Sequence, residues 1–189
     1  MFTVYSKKRK RIWLGVMLVL GIGIMLNSFS WFLKLLYPVH YEGIVRKYAN
    51  EYDLDPYLIF SIIKVESKFY EKAQSPKNAR GLMQISPVTG QWASKELGIS
   101  DYTEDLLFVP NVNIRIGCWY LDKLRKEFKG DWALILAAYN GGSGNVAKWL
   151  KDPEYSHDGK TLKKIPFSET KAYIEKVEKN YKIYKMLYK

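Results

Sequence analysis

The sequence predicts an all-α protein: one helical domain behind an apolar N-terminal helix. Three observations carry that expectation. Apolar residues recur at three- and four-residue spacing along several segments of the 189-residue chain, as they do on one face of an α-helix. Start and stop residues bracket those segments, with Asp55-Pro56 and Ser86-Pro87 at starts and Gly98 and Gly130 at ends. No extended alternation of apolar and polar residues argues for a sheet.

The N-terminal stretch comes first. Lys7, Lys8, Arg9, Lys10 and Arg11 precede an apolar run from Ile12 to Leu26, which Asn27 and Ser28 interrupt and Phe29–Leu33 continues. A membrane span needs about 20 largely apolar residues, and Ile12–Leu33 has that length without a charge inside. Gly15, Gly21 and Gly23 are its weak points, although membrane helices tolerate glycine. The rival reading is a cleaved signal peptide, for which Ser28-Phe29-Ser30 is a rough small-x-small site. The apolar run resumes straight after it, which favours an uncleaved signal anchor. The basic cluster would keep the N-terminus in the cytoplasm. The expected organisation is a cytoplasmic basic tail and single transmembrane signal anchor over 1–36. A domain over 37–189 would follow on the extracytoplasmic face of the cell membrane, with the membrane itself a partner through the N-terminal helix.

Charge follows from that division. The chain carries +11, and residues 1–39 hold six basic and no acidic side chains, leaving 24 basic and 19 acidic beyond. So mild a basic balance suits an anionic polymer such as a cell wall, or a membrane surface. It does not suit nucleic acid, since no compact basic motif lies beyond residue 11. Cys118 is the one cysteine, so no internal disulfide forms and the thiol reads as a small buried hydrophobe. His40 and His157 are the only histidines, and neither is placed to activate it. No metal and no cofactor is called for.

Beyond Pro38, Tyr41–Tyr52 reads as a helix with Ile44, Val45, Tyr48 and Ala49 inward. Asp55 caps a second helix over Pro56–Phe69, and Pro56 suits its first position. Tyr70–Arg80 is polar and carries Pro76 and Asn78, so it is a loop. Gly81 permits a tight approach before Leu82–Ile85, and Ser86 caps a helix from Pro87 to Leu97. A partly ordered connection over Ile99–Phe108 leads to a periodic helix over Asn111–Phe128. Asp131 caps Trp132–Tyr139, apolar nearly all round and stopped by Asn140-Gly141-Gly142. Gly144–Leu150 makes a further turn or two, Lys151–Lys164 is loop, and Ser168 caps a last helix reaching almost to the C-terminus.

One side chain stands out. Ile59, Ile62 and Glu66 share a helix face, with Ile63 beside them. A carboxyl held against aliphatic residues is costly as an anion, so desolvation raises its pKa and prepares a general acid. The bland alternative is a glutamate solvated at the core's edge or tied to a lysine, and spacing alone leaves both open. No second carboxylate is obvious: Asp53 and Asp55 lie at the start of the helix and Glu71 in the loop.

Several short motifs occur in a fixed order. They are Glu66-Ser67; Ser75, Ala79 and Gly81-Leu82-Met83-Gln84-Ile85 with Pro87; Asn113, Ile114 and Gly117; Ala138-Tyr139-Asn140 with Gly142; and Glu169-Thr170-Lys171-Ala172-Tyr173. Over about residues 41–180 the chain resembles the lytic transglycosylase domain of the soluble-lytic-transglycosylase type, similar in fold to goose-type lysozyme. Each motif is weak alone, and the ordered set is specific. The resemblance implies a lysozyme-like helical domain over 37–189 and a bacterial enzyme acting on peptidoglycan glycan strands. It implies Glu66 as the catalytic residue, followed by Ser67. Met83 and Gln84 match positions lining the sugar groove, and Ser75 a serine near the catalytic centre. Tyr139 and Asn140 match residues flanking the acid, and Tyr173 an aromatic supporting the groove, with Glu169 beside it. Asn78, Gly141 and Ser143 depart from the usual glycine, alanine and proline, which puts the shape of the groove in question.

The resemblance also implies a route. Glu66 protonates the leaving oxygen of a MurNAc-β-1,4-GlcNAc bond, the N-acetyl group of the muramic acid assists, and Glu66 then takes the proton of the C6 hydroxyl. The product is a 1,6-anhydro-MurNAc end. Two alternatives remain open: a hydrolytic muramidase on the same scaffold, and a non-catalytic glycan-binding scaffold protein. For Met83, Leu82 and Tyr139, plain packing in the core remains an open reading. Asn140-Gly141-Gly142 is in any case a helix stop.

Overall fold

The computed structural model describes residues 2–189, with side chains from Trp13 onward except Leu26, Asn27 and Ser30. The chain divides into two compact units, residues 1–38 and 39–189.

The first unit is helix α1, Phe2–Leu36. Among the described residues no helix is long and apolar enough to cross a membrane. The expected transmembrane signal anchor is corrected on this finding. With it go the single-pass topology, the membrane as a partner, and the placing of the following domain at the extracytoplasmic face. The physical reason is length. Asn27 and Ser28 end the uninterrupted apolar run at Leu26, and Ile12–Leu26 amounts to about 22 Å at helical rise against a hydrocarbon core of about 30 Å. Gly15, Gly21 and Gly23 within it add little apolar surface. The basic cluster 7–11, on which the expected orientation rests, lies outside the described side chains.

The second unit is helical: α2 (Glu42–Glu51), α3 (Pro56–Glu66), α4 (Pro87–Glu96), a 3₁₀ turn (Glu104–Phe108), α5 (Pro110–Glu127), α6 (Trp132–Gly141), α7 (Ser143–Lys151) and α8 (Ser168–Tyr188). Among the described residues the only β pairing is two isolated bridges, Gln74 with Arg80 and Arg80 with Ile85. Helix α3 packs on α2 and α8, α5 on α2, α4 and α6, and α6 on α7 and α8.

Helix α3 begins where Asp55 accepts from Tyr57 N at 2.9 Å, with Pro56 in its first turn. The Tyr181 hydroxyl donates to the same carboxylate at 2.6 Å and ties that end to α8. Ile59, Phe60, Ile62 and Ile63 are fully buried, each contributing about 1.5–3 kcal/mol of apolar burial. The Phe60 ring lies 5.7 Å from Tyr184 and 6.4 Å from Phe69. The helix stops because Lys68 and Phe69 both take positive φ, 51° and 67°, a region costly for side-chain-bearing residues. Buried Phe69, packed on Phe60 and His40, holds that turn in place. Glu66 is thereby the last residue of α3, three short of the expected end.

Asp131 caps α6 by accepting from Ala133 N at 2.9 Å and Leu134 N at 3.1 Å, and Ser86 caps α4 by accepting from Thr89 N at 3.2 Å. Gly142, at φ 89°, separates α6 from α7. The expected Ser168 cap is not formed. Ser168 is the first residue of α8, and Phe167 precedes it without a side-chain cap bond.

Candidate active site

The site is assembled where the end of α3 meets the segment 80–85, with α5 behind that segment and α6 and α8 alongside. Asn113, fully buried on α5, holds the segment in place. Its Nδ2 donates to Arg80 O at 2.9 Å and to Leu107 O at 2.7 Å, and its Oδ1 accepts from Met83 N at 2.7 Å. Gly81, at φ 76°, lies so close to Leu107 O and Asn113 that a Cβ would collide with both. Gly117 leaves the space that the Met83 side chain fills. The ordered motifs around Asn113, Gly117 and Gly81 are thus one packing solution.

Glu66 stands at the mouth of this arrangement, half-buried. Burial is the main influence on its carboxyl and pushes the pKa up to about 7, with the charge of Glu169 adding to the rise. The Tyr173 hydroxyl opposes it, interacting with the carboxyl in the sense that favours the anion. That contact falls outside strict hydrogen-bond geometry, so Tyr173 Oη is enclosed without a bonded partner. Burial, and then the Glu66 charge, hold the Tyr139 and Tyr173 phenols well above the ordinary tyrosine range. Both remain donors at neutral pH. Tyr139 spends its proton on Met83 O at 2.9 Å.

The other expected residues fall into two groups. Ser67 Oγ donates to Leu82 O at 2.8 Å and to Ile63 O at 3.2 Å, fastening the end of α3 to the 80–85 segment. Gln84, at φ 47°, gives its amide to Ala73 O at 3.1 Å and Gly81 O at 2.9 Å. Ser75 Oγ accepts from Ala79 N at 3.1 Å and closes the loop. Asn140 Oδ1 accepts from Thr170 Oγ1 at 2.8 Å, joining α6 to α8. Met83 is fully buried, and its main chain, not its thioether, meets Asn113 and Tyr139. Glu66, Tyr139, Tyr173 and exposed Glu169 share one electrostatic neighbourhood, while Ser67, Ser75, Gln84 and Asn140 hold the backbone around it.

The carboxylates weighed beside Glu66 are engaged elsewhere. Asp55 caps the far end of α3, Asp53 pairs with Arg125 at 3.2 Å, and Glu71 accepts from Tyr41 at 3.1 Å. Sequence reasoning missed Glu169 as the second carboxylate felt at Glu66, and Tyr120, whose ring lies 5.6 Å from Tyr139. Glu169 lies 103 positions from Glu66, beyond any periodicity argument. Among the described residues, no group of three or more His, Cys, Asp or Glu side chains is placed to hold a metal. Cys118 is fully buried and burial pushes its thiol up, so it is an inert packing residue.

Residues 43–162 match the Transglycosylase SLT domain. The chain belongs to this family. The SLT domain here is 34% identical over 147 residues to the soluble lytic murein transglycosylase of Salmonella typhimurium, covering 77% of this chain and 23% of that protein. Among solved structures it resembles an inactive mutant of the lytic transglycosylase Slt from Pseudomonas aeruginosa, with TM-score 0.71 and 33% identity over 82% of this chain and 25% of that one. It also resembles the 70-kDa soluble lytic transglycosylase of Escherichia coli, with TM-score 0.72 and 30% identity over the same shares. The SLT chain therefore spans about a quarter of the length of these relatives, and the all-α, lysozyme-like character of its second unit is secure.

Proposed function

We propose that this chain is a peptidoglycan lytic transglycosylase, cleaving the β-1,4 bond between N-acetylmuramic acid and N-acetylglucosamine and leaving a 1,6-anhydro end. One observation carries the reading: a half-buried carboxyl, Glu66, ends α3 where Ser67 fastens that end to the 80–85 segment, and burial raises its pKa to about 7 against the opposing Tyr173 hydroxyl. A group that serves first as acid and then as base must visit both protonation states near neutral pH. Protonated Glu66 gives its proton to the departing O4, and the C1–O4 bond breaks as the sugar's N-acetyl group shields the cationic carbon. Glu66, now the anion, faces the Tyr173 hydroxyl and takes the proton of the C6 hydroxyl. The O6 lone pair closes on C1 and no water is consumed. Holding that hydroxyl at the reacting carbon gives the intramolecular step its entropic advantage.

In this reading Tyr139 positions the 80–85 backbone through Met83 O, and Ser67 fixes the height of Glu66. Exposed Glu169 opposes a second negative charge at Glu66 and so keeps the resting acid protonated.

Digestion of purified peptidoglycan by the chain, with products weighed by mass spectrometry, tests the proposal. Muropeptides lighter by one water than their hydrolytic counterparts are expected from the native chain and not from Glu66→Gln. Products that have taken up water would instead identify a hydrolytic muramidase, and absence of any release would refute catalysis.

A further inference from the structure

A row of aromatic rings runs from the candidate site to the surface. Tyr139, whose phenol senses the Glu66 charge, lies 5.6 Å from Tyr120 on α5, and Tyr120 lies 6.3 Å from Trp92 on α4. Trp92 ends the row 44% exposed, whereas Trp119 and Trp149 of the same unit are buried. Its backing is rigid. Trp119, only 4% exposed, meets it at 4.7 Å with the ring planes 72° apart, and Tyr120 meets it at 80°. Edge-to-face contacts hold the indole without sandwiching it between parallel rings.

We propose that Trp92 is an outer sugar-stacking subsite, which binds a pyranose of the glycan strand beyond those held at Glu66. The inference rests on the glycan-cleaving function proposed above and adds the determinant by which this chain prefers long strands. Two ring contacts, of 6.3 Å and 5.6 Å, join the exposed indole to Tyr139 and so to the candidate site. The apolar C–H face of each sugar suits an aromatic platform held at one end and wet at the other. The extent of the surface argues against a docked protein as occupant. The exposed large apolar side chains of α4 are Trp92 and Val88, the latter one turn earlier and 79% exposed, against roughly 20–30 residues a side in a stable protein interface.

The test uses the full chain carrying Glu66→Gln, so that strands bind without being cut, alone and combined with Trp92→Ala or Trp92→Phe. Calorimetric titration with long, uncross-linked glycan strands is compared with titration by tetrasaccharide fragments. Trp92→Ala is expected to weaken long-strand binding about fivefold, roughly 1 kcal/mol, with less than a twofold effect on the fragments, and Trp92→Phe to recover most of the loss. Equal losses at both lengths would make Trp92 a packing residue and overturn the subsite, as would unchanged affinity for long strands. Cleavage plays no part in this readout. A chain that binds long strands through Trp92 yet fails to cut them refutes the proposed chemistry and leaves the subsite standing.

Discussion

The Ser67 hydroxyl donates a 2.8 Å hydrogen bond to the Leu82 carbonyl, and the residue before Ser67 in the chain is Glu66. The end of α3 that carries the candidate acid is therefore fastened to the segment that Asn113 and Tyr139 hold from the other side.

Ser67→Ala removes that fastening and a second bond to Ile63 O. A net loss of about 1 kcal/mol is expected, lowering Tm by roughly 2–4 °C in a chain of this size. Steady-state kinetics on glycan strands should show a larger fall in kcat than rise in KM, because the acid shifts relative to bound sugar. A melting change without a kinetic one would mean that Glu66 is held in place independently of Ser67.

Glu66→Gln should remove cleavage and stabilise the fold in a pH-dependent way. The folded pKa of about 7 lies above the ordinary 4.5, so the folded state binds the extra proton between those values. Wild-type stability therefore falls as pH rises from about 4.5 through 7. The glutamine variant lacks this loss, on the order of 2 kcal/mol after allowing for partial exposure. Its melting advantage should be large at pH 8 and vanish near pH 4. A constant difference across that range would contradict the raised pKa.

Glu169→Gln and Tyr173→Phe should move the basic limb of the kcat/KM profile in opposite directions. The Glu169 charge raises the Glu66 pKa and the Tyr173 hydroxyl lowers it. Neutralising the first brings the limb to lower pH, and deleting the second carries it to higher pH. Shifts in the same direction would show that at least one of the two groups does not act through Glu66.

Asn113→Ala leaves Met83 N, Arg80 O and Leu107 O without the partner they share. Arg80 O still accepts from Ile85 N, and the other two buried groups cost about 1–3 kcal/mol each, so a total of roughly 2–5 kcal/mol is expected, read as a steep fall in denaturant midpoint. A loss below about 1 kcal/mol would mean that water replaces the amide.

Much of α3 was legible because its determinants are local: Asp55 and Pro56 at the start, isoleucines at helical spacing, and a carboxyl on their face. Its end was not, since the stop depends on two left-handed residues, Lys68 and Phe69, the second held by Phe60 of α3 and by His40 from ahead of α2. Ser168 misled for a related reason, since a serine before a helix resembles a cap until the backbone places it inside the first turn. The N-terminal stretch misled by length, because the segments either side of Asn27-Ser28 were added into one span, while the uninterrupted run Ile12–Leu26 is shorter than a bilayer core.

Sequence by itself determined the helical class, the capped start of α3, the position of Glu66 on an apolar face, and the family, since those rest on spacing and on ordered short motifs. Only the tertiary structure decided the electrostatics around the Glu66 carboxyl. Glu169 and Tyr173 come from α8, more than a hundred residues along the chain, and pull its pKa in opposite directions. Charge and desolvation act through space, and spacing along the chain carries no record of which distant side chains will share it.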